Sequence, residues 1–333
     1  MTNTEESDTH VFAGLTPDII FDAIESCGYA TDGSQLALNS YENRVYQVGI
    51  EGAEPLIAKF YRPQRWDYSQ IKEEHHFCFQ LAEQELPVVC PILDSSGESL
   101  HQYQDFAFAL YPRRGGHAPE LDNLDNLLIL GRLLGRFHGV GSSMDFKNRP
   151  SLNIDTFGWQ SYELISQQFI PPELSSAYET LGRDLLEKCQ QVVEDFGEVK
   201  TLRVHGDCHS GNILWRHDNP HFVDFDDARM APAIQDLWML LSGDRQEQSA
   251  QMTQLVKGYS EFHHFNVREL ALIEVFRTLR IMHHSAWIAR RWDDPAFPHA
   301  FSWFGSARYW SEHILVLREQ FAALDEPQLT LIL

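Results

Sequence analysis

No apolar run in this 333-residue chain reaches the roughly 18–20 residues that a bilayer-spanning helix requires. The opening MTNTEESDTH has neither the basic start nor the apolar stretch of a secretory signal. A cytoplasmic protein with no membrane partner is therefore expected. Cysteine is sparse: five residues (Cys27, Cys78, Cys90, Cys189, Cys208), odd in number and without a C-x-x-C pair, fit reduced thiols. They argue against a disulfide framework or a cysteine-rich zinc site. Positive charge is also short, with 26 Lys+Arg against 48 Asp+Glu and a net charge of −22. So acidic a surface repels phosphate backbones and anionic lipid, and no nucleic-acid partner is expected; a local basic pocket stays compatible with it. Repeats, low-complexity tracts and coiled-coil heptads are absent, which makes a monomer the expectation. So are G-x-G-x-x-G ahead of Lys59, G-x-x-x-x-G-K-[ST] and H-E-x-x-H.

What is present is a well-packed composition, 43% hydrophobic and 12% aromatic, long enough for one large or two medium domains. The spacing predicts a helix over 17–27 and strands over 44–49 and 55–61, separated by Glu51-Gly52-Ala53-Glu54. In the second strand Leu56, Ala58 and Phe60 alternate with Ile57, Lys59 and Tyr61, so Lys59 sits on a face with two large apolar neighbours. A helix is predicted over 68–84 and a buried strand over 106–111. Pro112-Arg113-Arg114-Gly115-Gly116 then breaks regular structure. Beyond it helices are expected near 127–137, 176–196, 233–242, 248–263, 267–291 and 307–324, with only two strand candidates, 213–215 and 221–225. The reading is α+β: a β-rich N-lobe with one long helix (1–112), a hinge (113–117) and a helical C-lobe (118–333).

The chemistry concentrates in Arg203 to Asp227, RVHGDCHSGNILWRHDNPHFVDFDD. Asp207 lies in a glycine-punctuated loop, Asn212 begins a strand, and a second strand delivers Asp224. A hairpin of this kind brings three short oxygen-bearing side chains to one edge. Phosphoryl transfer needs such a set: a carboxylate to align the attacking hydroxyl and hard oxygen ligands to hold Mg²⁺ against phosphates. A single Asp in a turn is ordinarily just solvated; the whole string is what carries the argument.

His205-Gly206-Asp207-Cys208-His209-Ser210-Gly211-Asn212-Ile213-Leu214 resembles the catalytic loop of the aminoglycoside phosphotransferase, choline kinase and homoserine kinase group. Phe222-Val223-Asp224-Phe225-Asp226 resembles that group's metal-binding motif, which replaces the protein-kinase D-F-G. The resemblance implies a two-lobed protein-kinase-like fold, Asp207 as catalytic base, and Asn212 and Asp224 as metal ligands. It also implies Asp236 as the helix residue bracing the loop. The strings NSYENRVY (39–46), KFYRPQRW (59–66) and RWDDPAFP (291–298) narrow the likeness to the bacterial stress response kinase A family, over about Phe12 to Leu324. That implies Ser/Thr protein phosphorylation with ATP and Mg²⁺, the acceptor being a protein and the chain itself among the candidates.

In such a layout Lys59 binds the α- and β-phosphates, steadied by Glu73 or Glu74 from the following helix. One sequence does not choose between them, although Glu74, seven residues before Leu81, has the favoured spacing. Ser40 falls beside the ATP phosphates by the same resemblance, and Leu110 to Arg113 at the adenine edge. Among the histidines, His205 reads as a buried hydrogen-bonding residue, and the adjacent pairs 75–76, 263–264 and 283–284 point different ways. Two other readings remain open. A small-molecule alcohol kinase of the same fold could hold a cation on Trp292, Asp293, Asp294, Trp303 and Phe304. A nucleotide-binding adaptor without catalysis would need no Asp207.

Overall fold

The computed structural model describes residues 10–217 and 219–332. Helix α1 (Pro17–Ser26) starts where the Thr16 hydroxyl accepts the Ile19 N–H and proline occupies the first turn. Strands β1 (Thr31–Ala37), β2 (Arg44–Ile50) and β3 (Ala53–Phe60) follow as an antiparallel meander. Gly52, at φ 68°, makes the tight β2–β3 turn. Helix α2 (Tyr68–Glu83) opens on a reciprocal cap between Asp67 and Gln70. Strands β4 (His101–Tyr103) and β5 (Phe106–Pro112) complete a five-stranded sheet of order β1-β2-β3-β5-β4.

The alternation along β3 sorts its side chains by face. Leu56, Ala58 and Phe60 pack with Val48, Phe108, Leu110 and the buried Ile20 and Ile24 of α1. Ile57 and Lys59 face the opposite way, into a large cleft. Lys59 is paired with Val45 on one side and Ala109 on the other, so its backbone is held in mid-sheet.

From Leu124 onward helices dominate: α3 (Leu124–Gly141), α4 (Gln160–Gln168), α5 (Pro172–Phe196), α6 (Ile234–Trp238), α7 (Arg245–Tyr259), α8 (Ile273–Ala289), α9 (Ala296–Ala300) and α10 (Ala307–Ala323). Helices α3 and α7 touch backbone to backbone. A Cβ on Gly131 would strike the carbonyl oxygen of Leu255, and one on Gly135 that of Tyr259. Among the described residues four short strands interrupt the helices, where the sequence suggests two. β6 (Leu202–Val204) pairs with β9 (Arg229–Ala231), and β7 (Ile213–Arg216) with β8 (Asn219–Phe222). β8 stops at Phe222, short of the expected Phe225, because Asp224 turns into the left-handed region. The cores do not divide at Pro112 either: Phe77, Cys78 and Leu81 of α2 belong to the core of the helical half. Helix α2 thereby ties the sheet to the helices.

Candidate active site

The loop between β6 and β7 is shaped from below. Gly206 has φ 83°, and a Cβ there would collide with the Asp227 carbonyl. Asp236 of α6, fully buried, accepts the His205 N–H at 2.8 Å and the Gly206 N–H at 2.9 Å. His138 of α3 lies 3.1 Å from the same carboxylate through Nε2, and 3.0 Å from the Tyr259 hydroxyl through Nδ1. His205 donates from Nε2 to the Val223 carbonyl at 2.9 Å, fastening the loop to the far end of the hairpin. The buried, hydrogen-bonding part read from the sequence for His205 is the one it has.

The loop presents Asp207 to the cleft. Arg280 of α8 donates to its Oδ1 at 2.5 Å, and His209 Nε2 lies 3.5 Å from Oδ2. The His209 Nδ1 accepts the Gly211 N–H at 2.9 Å, which places the ring proton on Nε2, facing Asp207. Burial pushes the Asp207 pKa upward, but the His209 hydrogen bond and the Arg280 charge outweigh it and hold the carboxyl well below its ordinary range. Asn212 donates to the Asp207 carbonyl at 3.0 Å and reaches its Oδ2 at 3.4 Å, leaving the amide oxygen as its acceptor atom.

At the end of the same hairpin, where the Val223 N–H bonds the Asn212 carbonyl at 3.0 Å, Asp224 takes φ 59°, a conformation that Asp tolerates better than most residues, and its side chain is half-exposed. Lys59 Nζ lies 3.0 Å from Asp224 Oδ1, 3.2 Å from Asp226 Oδ1 and 3.8 Å from Glu74 Oε1. Burial alone would lower the lysine pKa; the three carboxylates together raise it well above its ordinary value, so Lys59 stays charged. Of the two glutamates open in the sequence, Glu74 is the one beside Lys59, braced by Arg149 at 3.3 Å. Glu73 serves a different purpose, because it points off the buried stripe of α2. Its carboxylate accepts the backbone N–H groups of Lys147, Asn148 and Arg149 at 2.7–3.0 Å.

Lys59, Asp207, Asn212 and Asp224 thus share one cleft of about 1140 Å³, with Ser40, Glu74, Tyr111 and Pro112 also on its walls. Leu110, expected at the adenine edge, instead packs in the core behind the sheet. Cys208 is buried and its thiol pKa is pushed well up by burial, consistent with an inert residue. None of Trp292, Asp293, Asp294, Trp303 and Phe304 lines the cleft. Phe304 is buried with its ring tilted against Trp292, and Asp294 is engaged by arginines, so these residues do not build a cation box.

Several participants escaped the sequence reading. Asp226 binds Lys59 and, at 2.5 Å, Arg65; burial opposes its ionisation, but Arg65 and Lys59 bring its pKa down to about 2. Arg65 also reaches Asp227 at 3.0 Å and Glu42 at 3.2 Å. The three strings 39–46, 59–66 and 291–298 meet here as a latch. Arg62 and Arg44 contact Asp294 at 2.6 and 3.2 Å, while Arg291 and the Trp287 indole N–H both reach Glu42 Oε2 at 2.5 Å. The loop 38–43, which covers the cleft beside Lys59, is thereby clamped to α8. Charges at i, i+3 and i+4 amid apolar residues were the available signal, and nothing local distinguished Arg280 from a solvated arginine.

Residues 34–272 match the phosphotransferase enzyme family. Stress response kinase A of Escherichia coli strain K12 is 43% identical over 322 residues, covering 96% of this chain and 97% of that protein. A serine/threonine protein kinase RdoA of Salmonella typhimurium strain LT2 is 41% identical over 321 residues, at 96% and 97% coverage. Among solved structures, an amicoumacin kinase in complex with AMP-PNP and Ca²⁺ superposes with a TM-score of 0.69 at 20% identity, covering 91% of each chain. The two-lobed α+β architecture is accordingly the kinase-like one. The chain belongs to the phosphotransferase enzyme family and, within it, to the stress response kinase A kinases.

Proposed function

We propose that this kinase transfers the γ-phosphoryl group of ATP to a Ser or Thr hydroxyl of a protein, in the cytoplasm and as a monomer. The observation that carries the reading is the convergence of Lys59 and Asp224, 3.0 Å apart, in the cleft that also holds Asp207 and Asn212. The donor set suits a magnesium nucleotide: Asp224 offers a half-exposed carboxylate and Asn212 an amide oxygen, both hard ligands. Bound Mg²⁺ would neutralise charge on the β- and γ-phosphates. Lys59, charged, would bind the α- and β-phosphates, and Glu74, 3.8 Å away, would hold it where Asp224 serves as a metal ligand. Asp207, ionised at neutral pH, aligns the acceptor hydroxyl and takes its proton as the oxygen attacks the γ-phosphorus. Positioning and fixed charge supply most of the acceleration.

The protein acceptor is supported by the likeness over nearly the whole chain to a relative named as a serine/threonine protein kinase. A small alcohol is the second reading, favoured by the kinase-like fold that the chain shares with an amicoumacin kinase. The two separate when purified protein, γ-labelled ATP and Mg²⁺ meet casein, a basic protein, and a panel of choline, homoserine and aminoglycosides. Label in protein supports the proposal. Label confined to a small alcohol moves the assignment to that class, and label nowhere leaves the nucleotide-binding adaptor.

A further inference from the structure

Helix α8 turns one face to the cleft. Phe276, Arg280, His283, His284, Trp287, Arg290 and Arg291 all line it, at the i, i+3/i+4, i+7 spacing of a single stripe. In a chain of net charge −22, an arginine wall beside the base is not what the average surface provides. Arg291 is spent on Glu42. The other two arginines are not spent. Arg280 uses Nη1 on Asp207, and no other described residue takes its remaining guanidinium N–H groups. Arg290, just past the end of α8, makes no side-chain hydrogen bond or ion pair among the described residues, and the protein around it disfavours its charge by desolvation. An exposed guanidinium that lines the cleft with no partner among the described residues is free to take an anion. ATP phosphates have their own cation in Lys59, paired with Asp224, whereas Arg280 is bonded to Asp207, where the acceptor hydroxyl must lie.

Resting on the protein-kinase reading, we propose that Arg280 and Arg290 select acidic acceptor segments: a Ser or Thr next to one carboxylate side chain and about four residues from another. The spacing comes from the helix. Ten positions separate the two arginines, from within α8 to its αR C-cap, roughly 15 Å at 1.5 Å per residue. An extended peptide covers that distance in about four to five residues at 3.3 Å each. The aromatic side of the cleft, Trp287, Phe157 and Phe301, accommodates the backbone between the two anchors.

The test is a set of alanine-based thirteen-residue peptides with one central serine and a single Glu, Ala or Lys walked from six residues before it to six after. Transfer from γ-labelled ATP is measured with the native protein and with R290E, each checked for an unchanged melting temperature. The expected result is a ~5- to 20-fold higher kcat/KM for Glu than for Ala at a position four or five residues from the serine, shrinking as salt is raised. In R290E the preference at that position should invert toward Lys. Equal rates for Glu, Ala and Lys, a native preference for Lys, or an unchanged ratio in R290E overturns the inference while leaving the protein-kinase reading standing. Transfer to no peptide at all, with transfer to a small alcohol, overturns both.

Discussion

Asp294→Ala removes the carboxylate that Arg44 and Arg62 share across the latch. Asp294 is buried, Arg62 approaches it at 2.6 Å and Arg44 at 3.2 Å, and both arginines come from the sheet side while Asp294 follows α8. Removing one partner of a buried charge pair costs about 3–5 kcal/mol. Here the low end applies, since Arg62 keeps Glu42 at 3.1 Å and Arg44 keeps the Tyr41 carbonyl. If about 3 kcal/mol of latch energy is what holds loop 38–43 in place, its full loss corresponds to a factor of roughly 100 in the closed population. The Arg291–Glu42 and Trp287–Glu42 contacts persist, so a ~10- to 100-fold rise in the Kd for Mg·ATP is expected by titration calorimetry. Asp294→Asn, which keeps the volume, should give most of the same loss. A Kd within twofold of the native value, in a variant whose melting temperature has fallen, would show that Asp294 only stabilises the fold and that the loop closes without it.

Asp207→Asn should leave Mg·ATP affinity nearly intact while lowering turnover by roughly 10²–10⁴, and an active variant would refute its role as base. Asp224→Ala should weaken Mg·ATP binding by about tenfold or more without unfolding the protein, because Lys59 keeps Asp226 and Glu74; unchanged calorimetric affinity would count against it as a ligand. Glu74→Gln should impair nucleotide binding, whereas Glu73→Gln should cost about 1–3 kcal/mol of stability through the turn at 147–149 and spare the nucleotide; the reverse pattern would exchange their roles. Burial raises the Glu269 pKa to about 7, against the Ile234 N–H that caps α6. The folded state therefore holds that proton more tightly than the unfolded one, and the stability it contributes, about 3 kcal/mol, is lost as pH rises from 4.5 through 7. Glu269→Gln should flatten that decline in melting temperature, and parallel profiles for variant and native protein would exclude the effect.

Legibility in the sequence followed how local the cause was. The alternation around Lys59 and the H-G-D…N spacing are set by neighbouring residues, and both were readable. Strand β1 was not, because TDGSQLA is polar and mostly exposed at the sheet edge, with no apolar alternation to announce it. β6 and β9 are three residues each, too short for a period, and exist because each finds the other. The wide turn Asp155–Trp159 ahead of α4 likewise has no sequence signature. In the site, the choice between Glu73 and Glu74 depends on which face of α2 is buried. Ile71, Glu74, Cys78 and Leu81 share that face, so a heptad count back from Leu81 points to Glu74. Asp226, Arg65 and Arg280 were not readable, since their partners lie 73 to 167 positions away along the chain and only folding joins them.

The glycine-mediated contact of α3 with α7 lies outside the cleft lining, yet α3 also carries His138, which props the aspartate beneath the Asp207 loop. Prying the two helices apart by the width of one methyl group, as Gly131→Ala would, shifts that prop at its root. Inactivating substitutions should therefore accumulate along this buried helix–helix seam, away from the cleft lining, as readily as around the cleft itself.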